Sequence, residues 1–132
     1  MKKTKIIPNM EAGVVRKYFS LAQVDKKKAN YEDYKLVFML ALDDFFNDKL
    51  KVDDLEDLAG AIYYSTRERS PVWFDSFPDR IGNALYWASD LSYYYHKGKR
   101  DKETNRKYQD YLKEVKEYYE ANTSWLRRRL EK

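Results

Sequence analysis

Seven acidic side chains, Asp43, Asp44, Asp48, Asp53, Asp54, Glu56 and Asp57, crowd into fifteen residues in which only Lys49 and Lys51 offset them. Spacings of four, such as Asp44 with Asp48 and Asp53 with Asp57, place carboxylates on one face of a helix, which raises metal binding or acid-base chemistry. A helical di-metal centre, however, joins glutamates from separate helices to a Glu-x-x-His pair. The only histidine, His96, has Tyr93 three residues before it. With no cysteine in the chain and no serine marked as a nucleophile, His96 reads as a structural residue near a helix C-terminus, where an imidazolium meets the dipole favourably. Gly13, Gly60, Gly82 and Gly98 are scattered singly, so there is no phosphate-binding loop or dinucleotide fingerprint. The expectation is a protein without enzymatic activity, cofactor or metal.

Charge then carries the argument. Residues 1 to 30 hold eight basic and two acidic side chains, and residues 97 to 132 hold twelve and seven. Residues 31 to 66 are the reverse, with three basic and nine acidic. One reading is internal complementarity, acidic helices lying beside basic ones in weak solvated pairs. The other is an acidic patch, built on Asp43, Asp44, Asp48, Asp53, Asp54 and Asp57, that steers a basic protein partner. Aromatic residues make up 17%, including thirteen tyrosines, more than a helical core of this size needs. Tyrosine and tryptophan anchor interfaces, and Trp73 and Phe74, in the punctuated stretch from Pro71 to Phe77, are candidate anchors if exposed and bundle caps if buried. The rival function is nucleic-acid binding. It uses the basic clusters Lys26 to Lys28, Lys97 to Lys102 and Arg127 to Arg129, two of them interleaved with tyrosines on which bases stack.

The elements that position these residues are helices. A first helix from Pro8 or Asn9 to about Val24 puts Met10, Val14, Tyr18, Leu21 and Ala22 on one stripe. Asn30 is an N-cap for a second helix, Tyr31 to about Asn47, with Glu32 and Asp33 where the dipole favours acid. That helix is apolar almost all round, which requires a central position. Asp53 to Glu56 matches a capping box opening a third helix to about Thr66, with Leu55, Leu58, Ala59 and Ile62 buried. Periodicity stops from Arg67 to Pro78. A fourth helix spans about Asp79 to His96, and Gly98 is placed to end it in the left-handed conformation. A fifth, from about Asp101 to Arg129, repeats Tyr108, Tyr111, Leu112, Val115, Tyr118, Tyr119, Asn122 and Leu126 at threes and fours.

The result is an all-α fold: one domain over residues 1 to 132, a compact bundle of about five helices, mainly antiparallel and up-and-down. Met1 to Pro8 has basic residues but only Ile6 and Ile7 before proline, which does not make an export signal. The longest apolar run, Leu36 to Leu42, is far short of the roughly twenty residues that cross a membrane. A reducing cytoplasm is the expected home. In size, helical content and an acidic patch on a mixed surface, the chain is similar to the helical immunity proteins that neutralise bacterial nuclease toxins. The resemblance transfers no residue, and it implies an inhibitor that captures a basic, nuclease-like enzyme.

Overall fold

A continuous apolar core runs through six helices, seen in a computed structural model that describes residues 13–25, 28–69 and 80–131. These helices are α1 (Gly13–Ala22), α2 (Tyr31–Phe46), α3 (Val52–Arg69), α4 (Ile81–Ala88), α5 (Leu91–Gly98) and α6 (Lys102–Leu130). No strand occurs among the described residues.

α2 sits at the centre, as its all-round apolarity demands. Tyr34 to Met39, Ala41 and Leu42 are all buried, and α2 packs against α1, α3 and α6. Its start is a full capping box: the Asn30 side chain accepts from the Asp33 amide at 2.9 Å, and the Asp33 carboxylate accepts from the Asn30 amide at 3.0 Å. Its end is a Schellman turn in which Asp48, with φ of 62°, fills the left-handed position that glycine usually takes. The Lys49 and Asp48 amides donate back to the carbonyls of Asp44 and Phe45 at 2.8 and 3.2 Å.

α1 closes in the same way, with Gln23 left-handed, so it stops at Ala22 rather than Val24. The stripe it buries is Val15, Tyr18 and Phe19, whereas Leu21 is 59% exposed. The stripe expected from periodicity, Met10, Val14, Tyr18, Leu21 and Ala22, fails at Leu21, on the opposite side of Tyr18 from Val15; Val14 and Ala22 pack half-buried against the core, and Met10 lies outside the described residues. Phe19 meets the Tyr34 ring at 6.0 Å while its neighbour Tyr18 reaches Asp44, ten residues further along α2, or about 15 Å. α1 therefore lies across α2 rather than along it.

The remaining helices alternate in direction. Tyr63 against Tyr86, Glu56 against Ser92 and Asp53 against His96 run α3 antiparallel to the α4–α5 pair. Tyr94 against Tyr111 and Tyr95 against Tyr108 do the same for α5 and α6. Lys35 with Trp125 and Glu32 with Arg129 run α2 antiparallel to α6.

Three further expectations are corrected. The helix foreseen over residues 79 to 96 is two helices, broken at Ser89 and Asp90. α3 continues to Arg69, past the expected stop at Thr66. Gly98 is not left-handed: a Cβ there would lie 2.8 Å from the Asn105 Cα, so glycine lets α5 turn closely against α6.

Candidate functional site

The acidic stretch divides into three environments. Asp43 and Asp44 are adjacent on α2 and point to different neighbours, as residues about 100° apart on a helix must. Asp43 accepts the Tyr119 hydroxyl of α6 at 2.6 Å, and Asp44 accepts the Tyr18 hydroxyl of α1 at 2.6 Å. Each is partly buried and ties a helix to the centre. The phenols record the same contacts from the other side. Burial, then the Asp43 carboxylate, pushes Tyr119 up to about 12, and burial, then Asp44, raises Tyr18 above the usual tyrosine range.

Asp53, exposed at the start of α3, turns to α5 instead of capping its own helix. Its Oδ1 accepts the Ser92 hydroxyl and lies 2.8 Å from His96 Nε2. The bond from Ser92, then that from His96, holds its carboxyl below the usual aspartate range. Serine, histidine and aspartate thus meet at one oxygen, but both partners converge on the carboxylate. A nucleophilic triad needs histidine between the other two.

Glu56 explains the break between α4 and α5. Its Oε1 accepts the amides of Ser92 and Tyr93 at 2.7 and 3.2 Å. In an unbroken helix those amides would bond the carbonyls of Ala88 and Ser89. A carboxylate from α3 therefore caps α5 through space, helped by Ser89, whose hydroxyl donates to the Tyr86 carbonyl at 2.6 Å. No signal within residues 79 to 96 reveals this, because the cap comes from thirty-six residues earlier in the chain.

Around Glu56 lies a face that the acidic count foreshadowed only in part. Burial raises the carboxyls of Glu56, Asp57 and Asp90, and neighbouring carboxylates add to it: Asp90 and Asp57 for Glu56, Asp54 and Asp53 for Asp57. Tyr93, whose amide Glu56 accepts, is 55% exposed, and Tyr86, 44% exposed, meets Tyr63 of α3. Lys97 reaches this face and places its ammonium 3.2 Å from the Tyr93 hydroxyl.

At the open end of the bundle a cleft of about 540 Å³ separates the α2–α3 turn from α5 and α6. Phe45, Phe46, Tyr95 and Tyr108 line it together with Leu50, Val52 and Leu112. Asp48, Lys51, Asp53, His96 and Lys99 line it as well. Of the sequence-derived candidates, Asp48 and Asp53 come together here, and Asp53, Asp54 and Asp57 lie along α3. Trp73 and Phe74 fall outside the described residues. Of the basic residues assigned to the rival function, Arg129 pairs with Glu32 at 2.8 Å and lies over the Trp125 ring. Lys26 and Lys27 also lie outside the described residues. No group of three or more potential metal ligands forms among the described residues, and no helix there is long and apolar enough to cross a membrane.

No protein family, curated protein or solved structure matches the chain.

Proposed function

We propose that this chain is a non-enzymatic protein-binding module that captures a basic protein on the face formed by α3 and the α4–α5 pair. One observation carries the reading: Glu56, Asp57 and Asp90 are held above their ordinary carboxyl range by burial, with Asp90 and Asp57 adding to Glu56 and with Asp54 and Asp53 adding to Asp57, on helices α3 to α5, which also carry the exposed rings of Tyr86 and Tyr93. Negative charge that is partly desolvated and reinforced by its own neighbours is relieved by a cation from outside, and exposed tyrosines supply contact area of the kind that dominates interfaces. Asp48, Asp53, Asp54 and Asp57 provide the steering. Asp43 and Asp44 hold α6 and α1 in place, and Trp73 and Phe74 add desolvated contacts. In its most concrete form the module is an immunity protein or inhibitor, acting in the bacterial cytoplasm, that neutralises a basic nuclease-like toxin or enzyme.

The test is affinity capture from native lysate at moderate salt, with and without nuclease, followed by association kinetics on the captured protein. One basic protein retained stoichiometrically after nuclease treatment is the expected result, with Asp54→Lys plus Asp57→Lys slowing association about tenfold at low salt. An unchanged rate and salt dependence would sink the steering role. Recovery of nucleic acid with nuclease-sensitive proteins, lost on removal of Arg127 to Arg129, would replace the module with a nucleic-acid binder.

A further inference from the structure

We propose that the cleft at the α2–α3 turn is the socket for an arginine side chain of the basic partner, an inference that rests on the protein-binding reading above. At about 540 Å³ it has the size of a ligand site. Its chemistry is two-part: aromatic walls from Phe45, Phe46, Tyr95 and Tyr108, and carboxylates from Asp48 and Asp53. Arginine has the matching two parts, an apolar stem with a planar cation that stacks on rings and a fork of donors that pairs with carboxylates.

Two observations favour this occupant over a purely apolar one. The chain's own Lys99 already places its ammonium 4.8 Å from the Tyr95 ring centroid, so the ring face in this cleft takes a cation. The left-handed Schellman turn fixes the Asp48 backbone at the cleft, and Ser92 and His96 hold the Asp53 carboxylate in place before any partner arrives. Those bonds also hold the Asp53 carboxyl below the usual aspartate range. The cleft also touches the proposed face directly, because Asp53 and His96 belong to both. Lys51 and Lys99 oppose a cation here, and Lys99 must leave Tyr95 for the guanidinium to stack. Lys99 therefore acts as an internal competitor.

Amide NMR titration of the full chain with a capped octapeptide carrying two arginines, and with its citrulline twin, tests the socket. Saturable shifts centred on Phe46, Asp48, Tyr95 and Leu112 are expected with the arginine peptide alone. Asp48→Asn is expected to weaken binding three- to tenfold, roughly what a useful interface residue contributes. Lys99→Met is expected to tighten binding about twofold, by removing the competitor. Equal binding of the citrulline peptide would overturn the proposal in favour of an apolar occupant. Shifts at residues 54–57 and 86–93 with a silent cleft would overturn the socket while sparing the protein-binding face. No shift anywhere would also overturn the socket, and the lysate capture would then decide the wider reading.

Discussion

The carboxylates at the end of α2 and those along α3 are the same chemical group in opposite situations. Asp43 and Asp44 each accept a phenol hydroxyl from another helix. Burial raises Glu56, Asp57 and Asp90, with Asp90 and Asp57 adding to Glu56 and with Asp54 and Asp53 adding to Asp57. In the first region, negative charge positions helices. In the second, burial makes the charge costly, although Glu56 also caps α5, and a binding face of the kind proposed tolerates such a cost. An acidic count therefore says little until each carboxylate's partner is known.

The largest expected effect comes from breaking the first region. Asp44→Ala leaves the fully buried Tyr18 with an unpaired hydroxyl, and is expected to lower unfolding free energy by about 2 kcal/mol in urea titration. Loss of less than a few tenths would mean that the bond does not hold α1. Glu56→Ala comes next. It removes the cap of α5, is expected to cost about 1 kcal/mol, and should raise hydrogen exchange at the Ser92 and Tyr93 amides specifically. Glu56→Gln, which keeps an acceptor oxygen, should restore much of that protection.

Titration sharpens the contrast. Raised phenols bind protons more tightly when folded, so the stability that Tyr18 and Tyr119 provide is complete below pH 10 and is lost as pH rises through about 12 for Tyr119 and higher still for Tyr18. Absorbance at 295 nm should show Tyr119 ionising among the last. Raised carboxyls act in the acid range. The folded state takes up protons before the unfolded one, so stability should grow as pH falls from neutral toward the ordinary values of 4.5 for Glu56 and 3.8 for Asp57 and Asp90. Asp53 opposes this, since its lowered carboxyl gives stability that is lost as pH falls below 3.8 and on through its depressed value. The smallest effect belongs to Asp57→Asn. Relief of like charge should make it neutral or stabilising by up to about 0.5 kcal/mol at pH 7, and should flatten the acid slope. A loss of 1 kcal/mol or more would place Asp57 with the structural carboxylates.

Much of this was readable in advance where one helix decides for itself. The Asn30 cap, the burial of α2 and the stripe Leu55, Leu58, Ala59 and Ile62 followed from local pattern, since neighbouring side chains on one helix settle them. Leu21 was misplaced because two stripes shared Tyr18, and only the crossing of α1 over α2 selects between them. The break at Ser89 and Asp90 was invisible because it carries no proline or glycine and its cap is Glu56 on another helix.

The sequence by itself determined that the chain is helical, which helix must be central, and where negative charge concentrates, because periodicity and composition are local quantities. Tertiary structure alone decided which carboxylates are tied to tyrosines, which one caps a neighbouring helix, and which two line an aromatic cleft. Those outcomes depend on distances between residues 26 to 76 positions apart, and no pattern within a single helix encodes such a distance.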